Sequence, residues 1–158
     1  MKEFKGQYRA SQGAIAIVVS RFNDAITKNL LEGALDCLKR FGYDQSAISV
    51  AWTPGSFEIP LVAQQMANSG QYKAIICLGA VIEGETAHFD YVCSPVASAI
   101  ASIALSASIP VIFGILTTHT VEQAIERSGV KAGNKGFEAA LNAIEMIDLL
   151  SKLPSSTR

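Results

Sequence analysis

Three apolar runs without alternation, Ala14–Val19, Ala74–Ile82 and Pro110–Leu116, constrain this chain more than any other feature. A strand with one wet face alternates with a period of two, so an unbroken run of strand length results when helices cover the sheet on both sides. Helical patterns and turn signals separate the runs. Ile26, Leu30, Leu31, Ala34, Leu35, Leu38 and Phe41 recur at helical spacing, with Asn23 or Asp24 to cap the start. Lys39 and Arg40 complement the carboxyl end of that helix, and Gly42 can take the left-handed stop. A short strand at Ile48–Trp52 meets the turn Thr53-Pro54-Gly55, and a second helix spans Phe57–Ser69.

After the strand Lys73–Ile82, a polar loop from Glu83 to His88 leads to an Ala- and Ser-rich helix ending near Ala107. Pro95 leaves the start of that helix open between two readings. Either Ser94 caps a helix beginning at Pro95, or an earlier turn from His88 leads in irregularly. Beyond the strand Pro110–Leu116, Thr120-Val121-Glu122-Gln123 has capping-box form for a helix reaching Ser128, with Gly129 as its stop. The loop Val130–Gly136 precedes a last helix over 137–151, whose apolar stripe is Leu141, Ile144, Ile147 and Leu150. Strands alternating with helices, joined by connections long enough for right-handed crossovers, predict an α/β protein: a parallel sheet between two helical layers. The expectation is one domain over 1–158, with a polar segment 1–12 that is either frayed or ordered against something else, and a loose tail at 154–158. Ligands of such sheets lie outside the carboxyl ends of the strands, which directs attention to the loops after Val19, Trp52, Ile82 and Leu116.

Charge narrows the partners. Thirteen basic against 14 acidic side chains leave a net charge of -1, too balanced for the electrostatic footprint of nucleic acid or an anionic membrane surface. No apolar run reaches the roughly 18 residues of a membrane span, and Met1–Lys5 lacks a signal peptide's apolar stretch, so the cytoplasm is the expected compartment. Cys37, Cys77 and Cys93 are odd in number and far apart, and neither histidine belongs to a ligand pattern, so no disulfide framework or metal site is expected.

The strand-end loops hold the chemistry-bearing residues, each with an ordinary alternative. Phe22, beside Arg21 and Asn23, could stack on a flat ligand or simply cover the core. Glu58 could bind a ligand or serve as the acidic partner of a helix start. His88 has the side chain best matched to proton transfer near neutral pH, but could also be a surface histidine opening a helix. His119 is the weaker candidate of the two. Arg127, Lys131 and Lys135 form a local basic group in a neutral chain, suited to a phosphate or to a charged helix end. Their glycines do not form a Walker sequence, and Gly-x-Gly-x-x-Gly is absent after the first strand, so ATP and dinucleotide binding lack their usual support.

Taken in order, these fragments resemble the lumazine synthase family. The resemblance runs from Arg21-Phe22-Asn23 through Pro54–Pro60, Gly79–Ile82 with Gly84, Thr86 and His88–Val92, Phe113–Thr118, Glu122–Arg127 and Lys131–Gly136. It implies a flavodoxin-like three-layer sandwich with a four-stranded sheet. It also implies condensation of 5-amino-6-(D-ribitylamino)uracil with (3S)-3,4-dihydroxy-2-butanone 4-phosphate, the penultimate step of riboflavin biosynthesis, with no cofactor. By the same resemblance, Phe22 stacks on the pyrimidine, Ser56, Phe57 and Glu58 line the ribityl side, and Ala80, Val81 and Ile82 frame the ring. Phe113 closes the pocket from a neighbouring subunit, Glu85 and Thr86 lie against the butanone phosphate, and Lys135 joins the substrate-binding set. Arg127 binds the phosphate and His88 transfers protons.

Some positions depart from the family pattern. Glu83 stands where arginine is frequent, Glu85 where a small residue is usual, Val130 for a common threonine and His119 for a common acidic residue. Pro95 interrupts the family helix. The resemblance further implies pentamers with sites between subunits, the N-terminal arm adding to a neighbour's sheet, and functional association with riboflavin synthase. The short Gly129–Gly136 connection favours a hollow shell of sixty subunits. Two other readings keep the fold but not the reaction: a flavin-binding or shell-forming relative, and a flavodoxin-like regulatory module.

Overall fold

The unalternating runs become neighbouring strands of one parallel sheet. The computed structural model describes residues 1–155, with β1 at Ala14–Ser20, β2 at Ile48–Thr53, β3 at Tyr72–Ile82 and β4 at Val111–Thr118, in the order β2-β1-β3-β4. The crossovers are helices: α1 (Asp24–Arg40), α2 (Ile59–Asn68) after a single 3₁₀ turn at Ser56–Glu58, and α3 (His88–Ala107). Then follow α4 (Val121–Glu126), a small hairpin of β5 (Ser128–Val130) and β6 (Gly133–Asn134), and α5 (Lys135–Lys152). This is the parallel α/β sandwich that the alternation of elements implies, in the flavodoxin-like, four-stranded form that the family resemblance implies.

Both faces of the sheet are buried, which is why the strands do not alternate. Ile15, Ile17, Val19, Ile76 and Leu78 pack with α1 and α5 on one side. Ala16, Val18, Ile75, Cys77 and Ile115 pack with α2 and α3 on the other. Each fully buried Ile or Leu contributes about 1.5–3 kcal/mol through the water it sheds, so the two layers supply most of the stability.

α5 approaches α1 through small residues. Gly136, Ala139, Ala140, Ala143 and Ile144 are its buried apolar contacts, whereas Leu150 of the expected stripe is 39% exposed. A Cβ on Gly136 would stand 1.8 Å from the Leu30 carbonyl oxygen, so the crossing needs glycine there. Asn134 fixes the start of α5: its Oδ1 accepts from the Gly136 and Phe137 amides at 2.9 and 3.2 Å, while its Nδ2 donates to Asn29 O on α1 at 2.9 Å.

Several expectations are corrected. Of the two readings for the start of α3, the structure takes the earlier, from His88, and only the expected irregularity is missing: the helix is continuous, with Pro95 inside it. Tyr91 and Pro95 are both exposed, so water can satisfy the carbonyl that proline leaves unpaired. At 20 residues, with a mean hydropathy of 1.3 over its most apolar 18, α3 is long and apolar enough to cross a bilayer, a feature that counting uninterrupted runs misses. It nonetheless packs Val92, Val96, Ile100 and Ile103 against the sheet layer. Asn23 precedes α1 at φ 61° but makes no side-chain cap. α4 stops at Glu126, and the expected loop after it is the β5–β6 hairpin, with Gly129 and Gly133 at positive φ.

The segment 1–12 is ordered on its own chain. Gln7 N and Arg9 Nε donate to the two carboxylate oxygens of Asp148 on α5 at 2.8 and 3.0 Å, and Lys152 Nζ donates to Lys5 O at 2.9 Å. Asp148 is 5% exposed, and its pairing with Lys152, reinforced by Gln7 and Arg9, holds its pKa down to about 2. Of the tail expected to be loose, Pro154 and Ser155 follow α5 without regular structure, and 156–158 lie outside the described residues.

Candidate active site

The strands end unevenly, and the step between them makes a cleft. The β1 ladder to β3 finishes with Val19 opposite Leu78, but β3 runs on to Ile82, paired there with β4 alone. Ala80, Val81 and Ile82 therefore overhang the point where the chain turns into α1. The cleft is about 640 Å³, and that overhang forms one wall.

The corner after β1 supplies a second wall. Arg21 N donates to Thr53 O at 2.8 Å and Phe22 N to Pro54 O at 3.1 Å, locking the β1 and β2 corners together. Phe22 is 72% exposed, so its ring borders the cleft and does not cover the core. Asn23 Nδ2 donates to Ala80 O at 2.9 Å, tying this corner to the overhang.

The β2 corner brings Ser56, Phe57 and Glu58 into the same cleft. A Cβ on Gly79 would lie 2.6 Å from Ser56 Oγ, so the glycine gives the buried serine its place beside β3. Glu58 Oε2 accepts from Gly55 N at 3.0 Å, which makes it the acidic partner at this helical start and leaves its other oxygen available. Phe57 is exposed on the cleft side.

The remaining wall is the loop from Glu83 to Ala87 and the first turn of α3. Gly84, Thr86 and His88 line the cleft; so do Phe89 and Tyr91, which the sequence reading did not assign a role. Tyr91 lies three residues beyond His88, the spacing that puts both on one helical face, and this is the signal that could have found it. The start of this 20-residue helix, with no side-chain cap, gives the cleft an anion-favouring end, although His88 N and Asp90 N already donate to Thr86 Oγ1 and Ala87 O. Glu85 is exposed in the loop and is not among the residues lining the cleft.

Arg127, Phe113 and Lys135 are not brought to His88. They line a second hollow of about 360 Å³, beside the outer strand β4, which shares no residue with the first. Arg127 Nη1 donates to Gln123 O at 3.0 Å, Lys135 Nζ pairs with Glu138 at 3.1 Å, and Phe113 is 39% exposed. Lys131 is exposed and makes no ion pair among the described residues. The folded chain thus carries two separate hollows, one largely apolar with a histidine and one with Arg127 and Lys135.

The cysteines stand outside this chemistry. Burial pushes the thiol of Cys77 up to about 12 and that of Cys37 to about 11, and burial also raises Cys93. None is a ready thiolate at neutral pH.

The family model for 6,7-dimethyl-8-ribityllumazine synthase matches residues 12–151. A relative described as 6,7-dimethyl-8-ribityllumazine synthase, from Protochlamydia amoebophila (strain UWE25), is 61% identical over 153 residues, covering 97% of this chain and 89% of its own. The match spans both hollows and all the strands of the sheet, and so the chain belongs to the lumazine synthase family, enzymes of riboflavin biosynthesis.

Proposed function

We propose that this protein condenses 5-amino-6-(D-ribitylamino)uracil with (3S)-3,4-dihydroxy-2-butanone 4-phosphate to 6,7-dimethyl-8-(D-ribityl)lumazine, phosphate and water. The observation that carries this reading is the apolar cleft with an exposed aromatic, Phe22, on one side and His88 on the other. The pyrimidine stacks on Phe22 under the overhang of Ala80, Val81 and Ile82, and its ribityl chain runs toward Ser56, Phe57 and Glu58. The butanone lies by Thr86, at the positive end of α3.

The ring amine and the ketone form an imine with loss of one water, which acidifies the neighbouring C–H. His88 takes that proton, phosphate departs, the resulting enol tautomerises to a ketone, and the ribityl-bearing nitrogen attacks that carbonyl, expelling a second water as the ring closes. Arg127 offsets the charge of the leaving phosphate. Holding two reactive partners together supplies much of the acceleration, so His88 tunes the rate and is not indispensable.

Because Arg127 and Phe113 lie in a hollow of their own, a complete site joins the His88 cleft of one copy to the Arg127 edge of the next. Exposed apolar side chains on a single copy support such packing: Trp52 and Val50 on the outer strand β2, and Tyr91 and Leu105 on α3. The free edge of β2 suits an added strand, which a neighbour's arm can supply only by leaving its place on its own α5. The active unit is a pentamer, and the short β5–β6 hairpin permits closure into a sixty-subunit shell. A steady-state assay with both substrates tests the reaction, and light scattering with negative-stain microscopy tests the assembly. Product formation no faster than the uncatalysed condensation would refute the reaction; active monomers would refute the shared site.

A further inference from the structure

The segment that carries Thr86 and His88 has little to hold it. Residues 83–88 are exposed, and a side chain on Gly84 would meet nothing within 4 Å. Its firm backbone tie is at the beginning, where Glu83 N donates to Thr118 O at 2.9 Å. At the other end, His88 N reaches Thr86 Oγ1 only at 3.4 Å.

One side chain from outside touches both ends. His119, just beyond β4, hydrogen-bonds through Nδ1 to Glu83 Oε2, and its ring lies 6.1 Å from that of Phe89 at an interplanar angle of 41°. Glu83 begins the loop and Phe89 follows His88 directly. His119 is itself fixed, since its N–H donates at 2.9 Å to Gln123 Oε1, the oxygen that also accepts from Thr120 N in the capping box of α4.

We propose that His119 is a positioning residue, clamping the Glu83–Phe89 segment at both ends so that His88 is presented to the cleft at a fixed place. The catalytic part of this assignment rests on the reading of His88 as the proton-transfer group. The pair is too exposed, at 73% and 46%, to matter much to global stability. Its effect is therefore local, on the loop, and that separates the clamp from a general structural role.

The test compares the wild-type protein, His119→Ala, His88→Ala and the double variant by steady-state kinetics, with hydrogen exchange of the amides of residues 84–89. His119→Ala should lower kcat about two- to five-fold, the range an exposed pair can command, with an unchanged unfolding midpoint. It should lower kcat no further in the His88→Ala background, and should speed exchange of the loop amides. An equal loss in both backgrounds, or unchanged exchange, would overturn the clamp. If His119→Ala failed to fold, Glu83→Ala should speed exchange of the same amides, and failure to do so would count equally against it. A wild-type protein without catalysis would remove the reaction, while the exchange comparison would still decide whether His119 holds the loop.

Discussion

Asn23 Nδ2 donates to the Ala80 carbonyl at 2.9 Å, across the place where the β1 ladder has already ended. The side chain continues the sheet's hydrogen bonding past its last backbone pair and sets the cleft width between Phe22 and the overhang. Asn23 has φ 61°, a conformation asparagine tolerates better than alanine. Asn23→Ala should cost about 1–2 kcal/mol from the lost bond and the left-handed backbone together, measured by denaturant unfolding. It should also raise KM for the pyrimidine amine; an unchanged KM would free the cleft from this tie.

His88 and Arg127 should fail differently. His88→Ala is expected mainly to lower kcat, and Arg127→Ala mainly to raise KM for the butanone phosphate. If sites form between neighbours, mixing the two variant chains through unfolding and reassembly restores about a quarter of the sites, because each intact half must meet the other by chance. Mixtures no more active than the separate variants would place both halves in one chain.

Gly136→Ala should destabilise the protein by about 3 kcal/mol, because the new methyl meets the backbone of Leu30, which cannot move aside without separating α1 from α5. Gly84→Ala is the control, with open space around its Cβ and a stability within about 0.5 kcal/mol of wild type. Thermal unfolding of the two variants side by side checks the contrast.

Asp148 confers an acid sensitivity of known sign. Its carboxyl is held from the ordinary 3.8 down to about 2 by Lys152, Gln7 and Arg9, so its contribution is full above the ordinary value and is lost as pH falls from there through about 2. Asp148→Asn should be less stable than wild type at neutral pH, and the gap should narrow across that acid window. A gap independent of pH would show that the arm is held by something other than this charge.

Where a residue's role depends on its sequence neighbours, the reading from sequence was close. Capping of α4 by Thr120 and Gln123, the stop at Gly42 and the buried strands all rest on local spacing or composition, and all are found. Roles set by distant partners were not readable. Asn23 looks like any helix cap until Ala80 is placed beside it, and β5 and β6, at three and two residues, are too short to show a period. Of the expected α5 stripe, Ile144 is buried and Leu141 and Ile147 pack against the core while Leu150 is exposed; apolar periodicity weights leucine over the alanines that let α1 come close, and so passed them over. In the site, Phe22, Ser56 and His88 line one cleft. Glu83 and His119, which depart from the family pattern separately, are in contact with each other.

The arm bound at Asp148 imposes an order on the birth of the chain. Gln7 leaves the ribosome 141 residues ahead of the aspartate that receives it, and the helix bearing that aspartate also completes one face of the core. During synthesis, strands β1 to β4 can pair, and Ser11 can already meet the Tyr43 hydroxyl, while Gln7 and Arg9 still lack their carboxylate. That part of the arm can settle only after α5 has emerged and docked. A segment made at the outset is therefore among the late ones to be ordered, so that a chain with a finished arm is already a chain with a finished core.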